Sequence, residues 1–203
     1  LQGARLAVQG FGAVGKHAAR YLMAKGAVLV AVADSRGTIH NSDGLDFDDL
    51  VTLKSEGRSV IDYSHGHKMK RDQVIDVDCD IWIPAARPDV VHEDNVHRLK
   101  ARLVVQGANI PFTYGAEKLL HERGVLCVPD FIANAGGVIC AAMEYQQASQ
   151  AAALQTIEEK LRGNTAQVLG EAEKQAIPPR DAALVLATER VRRAMTYRRW
   201  SVF

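Results

Sequence analysis

Short apolar runs alternate with amphipathic stretches along most of this chain. The runs Arg5–Gln9, Val28–Ala33, 80–84, 103–106 and 125–128 are brief and mostly Val, Ile, Leu and Ala. Several lack polar alternation, which is the pattern of strands buried on both faces. Between them the spacing predicts helices. One opens at Ala13, directly after a cluster of glycines, and continues through 16–24. A second covers Phe47–Ser55 and stops at Gly57, and a third, 93–100, precedes the fourth apolar run. A fourth covers 113–123, with Thr113 as its N-cap and Gly124 as its stop. Alternation of this kind predicts a parallel sheet covered by helices, and right-handed crossovers make it doubly wound.

The last third changes character. From 135 to 195 the pattern is helical, with almost no strand signal. A long helix is expected over 141–161, with Gly163-Asn164 as an interruption or kink. Pro178-Pro179 breaks the pattern, and a last helix is expected over 180–195 with Pro179 near its first turn. The expected fold is therefore α/β: a Rossmann-type, doubly wound, mostly parallel sheet with additional C-terminal helices. It forms a single dinucleotide-binding domain over 1–203, with 1–134 as the core and 135–203 as the helical part.

The glycine cluster carries the chemistry. Gly10-Phe11-Gly12-Ala13-Val14-Gly15 follows a strand and opens a helix, and Asp34 ends the next apolar run about 20 residues later. In such a fingerprint Gly10 permits a tight turn, Gly12 lets backbone approach a pyrophosphate, and Gly15 lets helix pack on strand. The N–H groups at the helix start face the negative charge. Asp34 is placed to accept hydrogen bonds from an adenosine ribose, with Ser35 beside it in the cofactor site, and the acid favours NAD, because a carboxylate repels a 2′-phosphate. Arg36 keeps NADP open, since a guanidinium accommodates that phosphate. Three further strand ends carry small residues or amides. Ala85 and Ala86 leave room for a ligand, while Asn109 and Asn134 offer the donors and acceptors that a nicotinamide ribose or carboxamide needs.

Bulk properties narrow the alternatives. The chain has 203 residues, is 47% hydrophobic and 24% charged, and has a formal net charge of +1. That balance argues against nucleic acid and against acidic membrane as partners. No apolar run approaches membrane-spanning length. Cys79, Cys127 and Cys140 are isolated, which suits a reducing cytoplasm better than a disulfide framework. His65 and His67 have no partner cluster, so they are read as loop residues and no metal is expected. Arg190, Arg192, Arg193, Arg198 and Arg199 read as a solvated helix end that complements the dipole. The first strand begins within a few residues of Leu1 and no methionine precedes it. The chain is therefore expected to be a piece of a longer protein cut at a domain boundary. No catalytic triad, paired carboxylate or general base can be placed from spacing.

These segments together resemble the glutamate/leucine/phenylalanine/valine dehydrogenase family. The resemblance rests on Gln9 through Gly15, on Asp34-Ser35-Arg36-Gly37 leading to Asp43-Gly44-Leu45-Asp46, and on Ile83-Pro84-Ala85-Ala86. Gln106-Gly107-Ala108-Asn109, His121-Glu122-Arg123-Gly124-Val125 and Asn134-Ala135-Gly136-Gly137-Val138 complete it. The similarity runs in register from Leu1 to about Gln147 and more loosely to Met195. It implies oxidative deamination of an L-amino acid to a 2-oxo acid, with hydride passing to the nicotinamide. It also implies that the catalytic lysine and aspartate lie in an upstream domain absent from this chain, and that the whole protein is a homo-oligomer. Asp43 through Asp46 and Glu144-Tyr145 are closer to the glutamate branch. Two positions depart from it. Ala13 stands where glutamate enzymes often have Asn. Ala141 stands where they have a serine that meets the substrate's distal carboxylate, whereas branched-chain enzymes have an apolar residue there. The alternatives are therefore an apolar amino-acid dehydrogenase and a non-catalytic nucleotide sensor.

Overall fold

The computed structural model describes residues 1–198, so Arg199 of the basic tail lies outside the described residues. Seven strands form one sheet: β1 Arg5–Gln9, β2 Val28–Ala33, β3 Thr38–His40, β4 His67–Met69, β5 Ile81–Pro84, β6 Leu103–Val105 and β7 Leu126–Val128. Their order is β4-β3-β2-β1-β5-β6-β7. The pairs β1–β2, β1–β5, β5–β6 and β6–β7 are parallel. The pairs β2–β3 and β3–β4 are antiparallel. The sheet is thus mostly parallel and doubly wound, as the alternation implies. Because β2 and β5 flank β1 on opposite sides, the chain reverses its direction of travel at β1. A crevice opens at such a switch point, at the carboxyl ends of the strands.

Both faces of the sheet are covered. Leu6 and Val8 of β1 pack with Ala19 of α1 (Ala13–Met23) and with Leu50 and Leu53 of α2 (Phe47–Ser55). Ala7 points the other way, into a layer with Val74, Trp82, Leu99 and Leu120, the last from α3 (Tyr114–Glu122). This two-sided burial is why β1 and β2 read as continuous apolar runs. Thr113 caps α3 by accepting from the Ala116 amide, as its sequence position suggests.

Several local expectations give way to long-range contacts. β3 and β4 are three residues each with a single apolar residue apiece, Ile39 and Met69, so no apolar run marks them; β3 pairs along the edge of β2 and β4 along the edge of β3. His67 lies on β4 opposite His40, and both His65 and His67 are exposed. The helix expected over 93–100 shrinks to one 3-10 turn, Val96–Arg98. The Asn95 side chain accepts from the His92 amide and donates to the Val90 carbonyl, which ties the segment into a loop. β5 begins at Ile81 rather than Asp80, whose carboxylate accepts from the Arg5 amide.

The chain divides into two compact units, Leu1–Asp130 and Phe131–Phe203. The boundary falls at the first residue of the short helix α4 (Asp130–Ala133), and the second unit holds α5 (Gly136–Tyr145), α6 (Gln150–Gln175) and α7 (Pro179–Arg198). The helix expected over 141–161 is two helices. Gln147 adopts φ 55, and Ser149 then caps α6 by accepting from the Ala152 amide. Gly163-Asn164 does not interrupt α6. Val168 and Ala172 of α6 pack on Ala182 and Ala183 of α7. Arg190 is exposed and donates to Asn164 and Gln167, so it also joins α7 to α6. Arg192 and Arg193 are exposed.

Candidate functional site

At the switch point the backbone bends sharply. Gly10 has φ +97, a conformation that side-chain-bearing residues rarely adopt. A β-carbon there would lie 2.8 Å from the Ala86 β-carbon and 2.9 Å from the Ala85 carbonyl. The Gly10 amide donates to the Ala33 carbonyl at 2.9 Å, and the Ala85 amide donates to the Gln9 carbonyl at 2.7 Å. These bonds hold the ends of β1, β2 and β5 together. A β-carbon on Gly15 would fall 1.9 Å from the Gly10 carbonyl, so helix α1 sits directly against the turn. Gly12 is different: a β-carbon there meets nothing within 4 Å. Gly12 is exposed and leaves an open approach to the backbone.

Helix α1 starts at this bend with no side-chain cap and no acidic residue in its first turn. Its first hydrogen bond runs from the Lys16 amide to the Gly12 carbonyl. The amides of Ala13, Val14 and Gly15 have no carbonyl of their own helix to bond. The positive end of the helix is therefore uncompensated and suits an anion.

A cleft of about 430 Å³ lies beside the bend. Of the residues singled out in the sequence it brings together Gly10, Phe11, Gly12, Asp34, Ser35, Ala85 and Ala86. The Phe11 ring is buried and meets Phe47 edge-on at 5.9 Å, so its side chain belongs to the core. Ala13 and Val14 are exposed on the first turn of α1 and do not line the cleft. Asn109 is exposed just beyond β6, also outside that cleft. Asn134 and Ala141 are in the second unit, Asn134 between α4 and α5 and Ala141 exposed on α5. Gln9, Ala33, Lys54, Arg71 and Arg87 complete the cleft lining. Sequence reasoning did not reach the three cations, because they come from α2, a 3-10 segment and the loop after β5.

The surroundings of Asp34 are specific. One carboxylate oxygen accepts from the Arg36 amide and the Ser59 hydroxyl, each at 2.9 Å. The other accepts from Lys54 Nζ at 2.9 Å and the Val60 amide at 3.1 Å. Burial pushes the carboxyl upward, but these bonds, with Lys54 foremost, together hold it below the ordinary carboxylate range. A carboxylate has about four acceptor positions, and here four donors occupy them. Asp34 thus splints α2 and the turn Val60–Asp62 onto the end of β2.

On the neighbouring strands, Gln106 is fully buried and bridges the Glu117 carboxyl and the Asp130 backbone amide. It donates to Glu117 at 2.7 Å and accepts from the Asp130 amide at 3.2 Å. Asp130 in turn accepts from the Ile110 amide at 2.8 Å. Ile110 has φ 49, a strained conformation for a β-branched residue, so this bond helps fix the loop that carries Asn109.

Known proteins share this framework. The chain is 40% identical to a glutamate dehydrogenase of Aeropyrum pernix, over 98% of this chain and 50% of that protein. It is 39% identical to an NADP(+)-dependent glutamate dehydrogenase of Pyrobaculum calidifontis, over 98% and 50%. It is 33% identical to an NAD-specific glutamate dehydrogenase of Staphylococcus aureus, over 99% and 50%. The crystal structure of a hetero-hexameric glutamate dehydrogenase from Thermus thermophilus, in its Leu-bound form, superposes with a TM-score of 0.86. Its identity is 27%, and the match covers 100% of this chain and 49% of that one. The chain spans about half the length of the curated relatives it matches. A family model, Glutamate/Leucine/Phenylalanine/Valine dehydrogenase, matches residues 1–199. With the glycine bend at the switch point, a family model over 1–199 and a relative 40% identical over 98% of this chain, the chain belongs to that family.

Proposed function

We propose that this chain is the dinucleotide-binding part of an amino-acid dehydrogenase, and that the substrate is L-glutamate, converted to 2-oxoglutarate and ammonia. The single observation that carries the cofactor reading is the contrast within the glycine motif. Gly10 and Gly15 are closed in by protein, while Gly12 faces open space beside an uncapped helix start. Protein packing accounts for the first two glycines and leaves the third to a ligand. The residues fit a dinucleotide: Gly10, Phe11 and Gly12 with the amides of Ala13, Val14 and Gly15 hold the pyrophosphate. Ala85 and Ala86 line the groove, and Ser35 lies at the ribose end. Asn109 positions the nicotinamide half. When bound, the nicotinamide supplies a hydride acceptor, and the residues named here bind and orient it.

The cofactor is NAD, with NADP accommodated. The carboxylate that would repel a 2′-phosphate is already paired with Lys54, and Arg71 and Arg87 line the same cleft. For the same reason a ribose hydroxyl must displace one of Asp34's donors to bond it. The matched relatives include both NAD-specific and NADP-dependent enzymes, which supports this reading.

Alanine at position 141 favours a second reading, a dehydrogenase of apolar amino acids. A methyl group cannot donate to a distal carboxylate, and an unpaired buried carboxylate is costly. The whole protein assembles as a homo-oligomer and acts in the cytoplasm. Among the described residues no helix is long and apolar enough to cross a membrane. The test assays the full-length protein with glutamate, leucine, valine and phenylalanine. Turnover of glutamate is expected; activity confined to the apolar substrates refutes glutamate and leaves the second reading. No activity with any of them, together with no NAD or NADP binding, refutes the enzyme.

A further inference from the structure

Gln9 ends β1 immediately before the glycine bend and is 8% exposed. Its side-chain carbonyl oxygen, Oε1, is out of solvent and meets no donor. Buried acceptors are nearly always paired, because leaving one unpaired destabilises the fold. Three backbone donors at the adjoining strand ends are committed elsewhere. The Gly10 amide serves the Ala33 carbonyl, the Ala85 amide serves Gln9's own backbone carbonyl, and the Asp34 amide serves Gly37. The folded chain leaves this acceptor without a donor.

Gln9 lines the 430 Å³ cleft, and it also borders a second cleft of about 440 Å³. Ala33, Ala85 and Ala86 give the first cleft small apolar walls. Arg71 and Arg87 line it as well, and guanidinium planes stack readily on flat rings. A ligand group that suits this end is flat, aromatic and edged with an N–H donor. The pyrophosphate site proposed above is a few residues away along the same bend. An aminopurine joined to a diphosphate meets all of these conditions. An amide presents one acceptor and one donor, which complements the amino group of adenine and an adjacent ring nitrogen.

We infer that Gln9 reads the adenine of the bound dinucleotide, its Oε1 accepting a hydrogen bond from the 6-amino group. This rests on the dinucleotide reading and adds a base-specificity residue to it. No covalent step is involved.

The experiment is calorimetric titration of the 203-residue chain with NAD and with nicotinamide hypoxanthine dinucleotide. The second compound replaces the amino group by a carbonyl oxygen, so an acceptor would face an acceptor. Wild type should bind it about tenfold more weakly than NAD. Gln9→Met keeps the side chain's length and removes the acceptor. In that variant NAD should weaken and the two affinities should converge, which a merely structural role would not produce. Equal affinity in wild type overturns the inference while leaving the dinucleotide site standing, and this comparison needs no variant. A ratio unchanged by Gln9→Met overturns it as well. Binding of neither compound overturns the dinucleotide reading itself and this inference with it.

Discussion

Gly12 and Gly15 sit three residues apart in one motif, yet replacing them should have opposite consequences. A β-carbon at Gly12 meets no atom within 4 Å, and its backbone φ of −86 suits any L-residue. Gly12→Val asks the fold only to accept a poor N-cap, at a cost of about 1 kcal/mol. A β-carbon at Gly15 lies 1.9 Å from the Gly10 carbonyl oxygen and 2.9 Å from Val8 Cγ1. To restore ordinary contact α1 must retreat by about 1.5 Å from a strand end that other bonds hold in place. Overpacking costs roughly 1–3 kcal/mol, and a backbone oxygen cannot rotate away, so Gly15→Ala should fall near 3 kcal/mol. That is a large share of a domain stability of about 5–15 kcal/mol. Urea unfolding followed by circular dichroism measures both variants. Calorimetry with NAD then separates the roles. Gly12→Val should remain folded and lose about 100-fold or more in affinity, because its side chain occupies the pyrophosphate approach. The reasoning fails if folded Gly12→Val binds NAD as wild type does, or if Gly15→Ala is as stable as wild type.

Lys54→Met removes the cation paired with Asp34, so NADP binding should fall about tenfold relative to NAD; comparable losses for both cofactors would show that Lys54 serves the fold alone. Asp34 is held below the ordinary carboxylate range, so its contribution is present above about pH 4 and fades as pH falls through the lowered value. Asp34→Asn should flatten the acid limb of the urea midpoint measured between about pH 6 and pH 3, and an unchanged slope counts against the splint. Burial pushes the Cys79 thiol up to about 12, so it should resist a thiol reagent at neutral pH, where half-buried Cys140 reacts first; labelling of Cys79 in the folded chain would contradict this. Gln106→Leu leaves the Glu117 carboxyl and the Asp130 amide without this partner. It should cost about 3 kcal/mol in the same urea assay, and a loss below about 1 kcal/mol would mean that the network is dispensable.

What the sequence determined by itself is local and periodic. Apolar runs long enough to be buried on both faces marked β1 and β2, because a strand covered on two sides has no polar alternation. Thr113 marked the start of α3, since a cap acts within one turn. The glycine spacing marked the bend, since φ +97 at Gly10 admits little else. The tertiary structure decided what depends on residues distant in the chain. β3 and β4 exist because an edge offered them hydrogen-bond partners, not because three residues with one apolar side chain among them prefer to be extended. Asp34 was legible as an acid at a strand end; that Lys54 and Ser59, 20 and 25 residues away, fill its lone pairs was not. Gln9 was visible as a letter beside the motif, but that its Oε1 is buried without a donor appears only in three dimensions. Local pattern fixes which segments are buried, and three-dimensional packing fixes which polar groups are left for a ligand.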